Sequence, residues 1–177
     1  MPFDLQPFLN GEILDLRPLL EDDFDDLFAV ASDPLVWEQH PVRDRYQPDV
    51  FGDLFQESLD SGGALVAVDA KTGRIIGSSR YHGYNGDRSE VEIGWSFLSR
   101  DHWGGVYNQE MKRLMLVHAF NYVDNVVFLI GAENLRSRRA TEKIGAVLSG
   151  TRKDGGRRES LVYTMTKERY LQRGVNE

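Results

Sequence analysis

Between Glu90 and Tyr122 the chain changes its periodicity in a way that few folds accommodate. In the run Glu90-Val91-Glu92-Ile93-Gly94-Trp95-Ser96-Phe97-Leu98, the apolar Val91, Ile93, Trp95 and Phe97 alternate with Glu92, Gly94 and Ser96. That period of two predicts a strand with one apolar face, and it puts Glu92 on the face opposite Val91, Ile93 and Trp95. Gly104 and Gly105 follow, and beyond them Met111, Leu114, Met115, His118 and Tyr122 recur at helical spacing. A strand, a glycine turn and a helix start together make a device for anions. Glycine lets the backbone approach a ligand, and the unpaired amides of the first helical turn converge on one spot with partial positive charge. Adjacent glycines also serve as plain chain reversals, so known phosphate loops are the test. The triphosphate loop requires Gly-Lys-Ser/Thr, whereas Gly105 is followed by Val106-Tyr107; the dinucleotide fingerprint requires three spaced glycines, which are missing here.

At 177 residues the chain has the length of one domain, expected to span 1–177 and to bury about 70% of its unfolded surface. The absence of cysteine excludes disulfides, thiolate zinc sites and a cysteine nucleophile, and points to an intracellular, cytoplasmic setting. No apolar run approaches the length of a membrane span, and the N-terminus lacks a basic leader. His40, His82, His102 and His118 are scattered without metal-ligand spacing, so no metal is expected, and His118 falls on the apolar face of the long helix. The net charge of −7 is unevenly spread: residues 1–60 carry 15 acidic and 3 basic side chains, while residues 136–158 carry eight basic and two acidic ones. This predicts a basic side for an anionic cofactor and an acidic side for a cationic acceptor. Nucleic acid is a poor partner for so short a basic cluster.

Taken in order, residues 12–17 alternate as a strand, and the acidic run at 21–30 suits a helix N-terminus. A second helix is expected near 48–59, stopped by Gly62-Gly63. Strands at 64–68 and 74–82 form a hairpin around Lys71-Thr72-Gly73 and lead into the central strand. After the long helix, the apolar run 126–131 reads as a buried strand. Asn134 then caps a helix that Gly145 stops, and two last strands flank the turn Asp154-Gly155-Gly156.

Two stretches of this order resemble the RimJ/RimL-type branch of the GNAT superfamily of acyl-CoA N-acyltransferases. One is Glu92-Ile93-Gly94-Trp95 followed by Trp103-Gly104, Tyr107 and Glu110; the other is Asn134, Ser137, Lys143 and Gly145 in an Asn-x-x-Ser…Lys-x-Gly pattern. The chain departs from the usual loop at Val106, in place of a second glycine, and at Asn108, in place of a small residue. The resemblance covers about residues 10–166 and implies an α/β (α+β) fold. Its sheet would be mixed but mostly antiparallel, with about six to seven strands, about four flanking helices, and strands splayed at a cofactor cleft.

The same resemblance implies transfer of an acetyl group from acetyl-CoA to a primary amine, either a small molecule or a protein N-terminus, by direct attack in a ternary complex. Pantetheine would lie beside Phe97 and Leu98. The pyrophosphate would rest on Trp103, Gly104, Gly105, Val106, Tyr107 and Asn108, with Asn134, Ser137 and Arg138 completing the cofactor contacts. Trp37, His40, Tyr81 and Trp95 come from segments that line the acceptor pocket in relatives. Attack requires a neutral amine, and Glu92 is the candidate base. Many relatives have a tyrosine acid where this chain has Thr141. Some RimL-type enzymes place a serine at the matching Asn-x-x-Ser position, which makes Ser137 the candidate that protonates the thiolate, with solvent as the alternative. Homodimers are common among such relatives. A non-catalytic acyl-CoA-binding module, or a transferase of another acyl group, is compatible with the same residues.

Overall fold

The computed structural model describes residues 2–154 and 158–175. Eight strands are present among them: β1 (Leu9–Asn10), β2 (Leu14–Pro18), β3 (Ala64–Asp69), β4 (Ile75–Asn85), β5 (Glu90–Leu98), β6 (Asn125–Ile130), β7 (Val147–Asp154) and β8 (Arg158–Thr166). The five α-helices are α1 (Phe24–Ala31), α2 (Pro48–Ser61), α3 (Val106–Ala119), α4 (Leu135–Lys143) and α5 (Lys167–Val175). The strands form one sheet in the order β1-β2-β3-β4-β5-β6-β8-β7. Every pairing is antiparallel except β5–β6. The mixed, mostly antiparallel architecture is the expected one, with one strand and one helix more than the sequence indicates. The additions are the two-residue β1 and the terminal α5. The long helix stops at Ala119, short of Tyr122, and the turn expected at Asp154-Gly155-Gly156 runs into residues 155–157, outside the described residues.

Local chemistry accounts for the helix ends. Pro48 opens α2 and Gly62, at φ 66°, closes it in the left-handed conformation that glycine adopts without strain. The Asn134 side chain accepts from Ser137 N at 3.3 Å and caps α4, while Gly145 stands at φ 100° just beyond its end. Glu110 explains why a glutamate belongs one turn into α3. Its carboxylate accepts from the backbone N–H groups of Glu12, Ile13 and Leu14 at 2.7–3.0 Å, tying α3 to the β1–β2 turn. Burial works to raise its pKa, but those three donors and Arg113 outweigh it and hold the carboxyl below its ordinary value.

Strand β5 departs from its expected alternation, and the departure organises the molecule. Arg80 lies opposite Gly94 but Ser78 lies opposite Phe97, so β5 holds one residue more than its partner. Trp95 occupies this bulge at φ 52°, a backbone region that L-residues seldom adopt. The extra residue reverses the facing of everything after it. Val91, Ile93 and Leu98 pack with Met111, Leu114 and Met115 of α3 on one face of the sheet. Trp95 and Phe97 pack on the other face with Leu27, Trp37, Phe51 and Phe55. Glu92 therefore opposes Val91 and Ile93 as expected, but shares its face with Trp95. On that face the Arg80 guanidinium lies 4.1 Å from the centre of the Trp95 ring.

No helix among the described residues is long and apolar enough to cross a membrane.

Candidate active site

The parallel pairing of β5 with β6 lasts only from Glu90–Asn125 to Glu92–Val127. Beyond it β5 follows β4 and β6 follows β8, and the sheet opens between them. A cleft of about 480 Å³ runs through this opening from one face to the other.

At one end lies the glycine turn. Gly104 and Gly105 have φ of 113° and 107°, and a side chain on Gly104 would meet open space. The first backbone bond of α3 runs from Gln109 N to Gly105 O at 2.8 Å, so the amides of Val106, Tyr107 and Asn108 have no acceptor within the helix. The Val106 side chain is 62% exposed and does not fill the turn. Lys143 Nζ lies 3.1 Å from the position a Cβ on Gly105 would take, so an ammonium group joins the amides at the anion-attracting spot. Trp103 Nε1 donates to Leu98 O at 3.0 Å, which fixes the turn to the end of β5. Arg136 stacks on the Trp103 ring with its guanidinium carbon 4.0 Å from the ring centre.

Of the residues expected at the cofactor end, Phe97, Leu98, Trp103, Gly104, Gly105, Asn108, Asn134 and Ser137 line the cleft. Val106 and Tyr107 offer backbone amides while their side chains lie outside it; Tyr107 packs edge-on to His102 with ring centres 4.8 Å apart. Arg138 turns away, donating to Tyr163 Oη at 3.1 Å and Ala132 O at 3.0 Å, and its neighbour Arg136 takes the place at the cleft.

At the other end Trp37, His40, Glu92 and Trp95 come together. Tyr81 does not join them. It is 1% exposed on the α3 side of the sheet, its hydroxyl donates to Met115 O at 2.6 Å, and burial raises its pKa well above 10. Glu92 folds over Gly94: its Oε1 lies 3.0 Å from where a Cβ on Gly94 would be. Arg45 Nη1 is 3.1 Å from His40 Nε2, and Val42 N donates to His40 Nδ1 at 2.9 Å. Burial first, and Arg45 second, lower the His40 pKa to about 3.

Four charged residues of the cleft lie outside the expected site residues: Arg45, Lys112, Arg136 and Arg158. Lys112 projects from α3 into the floor of the opening, 6% exposed, where Nζ donates to Ser96 Oγ and lies 5.7 Å from the centre of the Phe128 ring. Ser96 Oγ in turn shares a hydrogen bond of 2.8 Å with Ser79 Oγ. Burial lowers the Lys112 pKa from 10.5 to about 7. Its place between Met111 and Met115 on an inward-facing arc was the available sequence signal. No group of residues suited to a metal ion occurs among those described.

The sheet thus opens on a cleft with an amide-lined turn at one end and a carboxylate at the other, in a chain whose fold is that of the acetyltransferases. The family model of the acetyltransferase (GNAT) domain matches residues 14–147, and the chain belongs to that family. Among solved structures, a GCN5-related N-acetyltransferase from Brucella melitensis matches with a TM-score of 0.84 at 18% identity, covering 96% of this chain and 83% of that one. An acetyltransferase from Agrobacterium tumefaciens str. C58 matches with a TM-score of 0.71 at 27% identity, covering 91% and 95%. Mycobacterium smegmatis RimJ in complex with CoA-disulfide matches with a TM-score of 0.68 at 17% identity, covering 95% and 93%. No curated protein sequence is a significant match.

Proposed function

We propose that this protein transfers the acetyl group of acetyl-CoA to a primary amine, with both substrates held in the cleft at once. The observation that carries the reading is the continuity of the cleft from the free amides beside Gly104 and Gly105 to the carboxylate of Glu92. Acetyl-CoA is a substrate here, and its thioester supplies the acyl group. The amides of residues 104–108 and Lys143 receive the pyrophosphate, and the edge of β5 that β6 leaves unpaired beyond Glu92 offers backbone groups to the pantetheine amides. Asn134 and Ser137 face the same channel from the start of α4.

Glu92 takes the proton from the incoming ammonium group, directly or through water, because only the neutral amine attacks. The departing thiolate needs a proton in return. A thiol of pKa about 8.5 is a weaker acid than an ammonium group held near 7, so transfer from Lys112 is downhill. Ser137 is a far weaker acid and serves better as a hydrogen-bond donor to the sulfur. The cysteine-free chain suits a cytoplasmic setting, and one sheet carrying both ends of the cleft suits a single domain over 1–177.

The deciding assay follows thiol release from acetyl-CoA with a panel of small amines and N-terminal peptides, beside calorimetric titration of CoA. Turnover with at least one amine is the expected result. Tight CoA binding with no turnover across the panel would assign the chain to the non-catalytic acyl-CoA-binding modules instead. Propionyl- and succinyl-CoA in the same assay decide the acyl group.

A further inference from the structure

The charge around the amine end of the cleft is the reverse of the sequence expectation. The acidic side chains of the first sixty residues do not reach it: among the described residues, Glu92 is the one carboxylate lining the cleft, against the cations Arg45, Lys112, Arg136 and Arg158. Arg136 and Lys112 belong to the turn and the floor. Arg45 and Arg158 stand with His40 and Glu92, and each is close enough to lower the affinity of His40 for a proton.

Neither guanidinium is neutralised where it stands. The one side-chain hydrogen bond Arg45 makes is to the neutral His40 ring, and its guanidinium carbon lies 5.5 Å from the centre of the Trp37 ring. Its pKa falls to about 10, through burial first; Glu57 and Asp44 act to raise it, Arg80 and Arg158 to lower it. Glu57 is already engaged by Arg80 at 3.1 Å and is 61% exposed. Arg158 stands opposite Asp154 in the β7–β8 ladder, and its side chain makes no hydrogen bond or ion pair with any described residue. Two guanidinium groups that line the same end of a pocket and act on each other electrostatically favour an anion between them.

We propose that Arg45 and Arg158 form a carboxylate-binding subsite, and that the amine acylated here carries a carboxylate of its own. The proposal rests on the acyltransferase reading and narrows its acceptor. Such an acceptor is dipolar. Its ammonium group goes to Glu92 and its carboxylate to the two guanidinium groups, so a single orientation satisfies both charges. A guanidinium fork suits a carboxylate through paired N–H donors, which a compact ammonium group does not match. The dipolar acceptor is either a free α-amino acid or a peptide whose first residue is acidic. The two share this chemistry and differ in size.

Initial rates with acetyl-CoA are measured for L-phenylalanine, L-leucine and L-methionine, each beside its carboxamide, and for tripeptide amides beginning with Asp beside the same peptides beginning with Asn. Recognition through charge-assisted hydrogen bonds corresponds to a preference for acid over amide of roughly 10- to 100-fold, carried by KM because the carboxylate lies away from the reacting atoms. The arm that shows the preference identifies the source. Arg158→Gln and Arg45→Gln are each expected to reduce the acid-to-amide ratio at least about tenfold. Arg158 is exposed, so its variant tests the subsite even where replacing the half-buried Arg45 impairs folding. Acylation of amides as efficiently as acids in both arms overturns the subsite and leaves the enzyme reading standing. Absence of turnover with every amine overturns the enzyme reading. Calorimetric titration of the amino acids and carboxamides into protein mixed with CoA then still decides the subsite: equal affinities sink it, and a tenfold preference removed by Arg158→Gln upholds it.

Discussion

Lys112→Met should stabilise this protein, and by an amount that depends on pH. The buried ammonium ion ionises with a pKa of about 7 instead of 10.5. At about 1.4 kcal/mol per tenfold change in acidity, that difference is a penalty of about 5 kcal/mol on folding with the charge in place. Below pH 7 native and unfolded chains both hold the proton, and nearly the whole penalty stands. Between pH 7 and 10.5 the unfolded chain keeps a proton that the native chain sheds, so wild-type stability rises with pH and the penalty fades. Methionine has similar length and no charge, and Ser96 retains its hydrogen bond to Ser79 when the lysine is removed. The lost contact to Ser96 subtracts a constant, while the titration subtracts a term that varies. The stability difference between Lys112→Met and wild type should therefore shrink by about 2 to 3 kcal/mol between pH 6 and pH 9. Urea denaturation of both proteins at pH 6, 7.5 and 9 measures it, since every other titrating group is common to the pair and cancels. A difference that stays flat across this range means that water reaches the ammonium group, and the account of the cleft floor is then wrong.

Other consequences are as direct. Glu92→Gln should lower turnover by about 10²- to 10⁴-fold and move its optimum to higher pH; an unchanged pH profile removes Glu92 from the base role. Gly104→Ala meets no steric clash but forces an L-residue to φ 113°, which displaces the adjoining amides, and CoA affinity measured by calorimetry should fall about tenfold. Glu110→Ala orphans three backbone N–H groups and should lose about 3 kcal/mol in chemical denaturation. Because the Glu110 carboxyl is held below its usual range, its contribution is present above pH about 4.3 and lost as pH falls through the lowered pKa, so Glu110→Gln should flatten that acid limb. His40 should stay neutral throughout the physiological range, with ring proton NMR shifts that do not move between pH 5 and 8.

Much of this architecture was readable from the chain because its signals are local. Gly104, Gly105, Asn134 and Gly145 each sit where backbone geometry or capping demands that residue type, and a demand of that kind is visible without knowing what lies across the sheet. Glu110 was visible as part of a motif, but its reason was not, since its partners lie nearly a hundred residues away. The alternation in β5 misled at Trp95 and Phe97 because a bulge inserts one residue there, and Gly94 beside it was the available signal. Tyr81 was drawn to the acceptor pocket by its segment, whereas its facing in β4 sends it to the α3 side. Arg45 lies in a loop and Arg158 at a strand start, and only the folded chain brings them beside His40. Charge counted along the sequence failed for the same reason: the acidic run before α1 spends itself on a helix start and a solvent face.

The bulge at Trp95 also divides the labour of one strand between two neighbourhoods. Residues before it and after it answer to different packing partners, so Trp95 and Phe97 are free to drift with the α1–α2 side while Val91 and Ile93 stay bound to α3. Substitutions on the α1–α2 side would reshape the Trp95 end of the cleft and leave the packing of Val91 and Ile93 on α3 as it is.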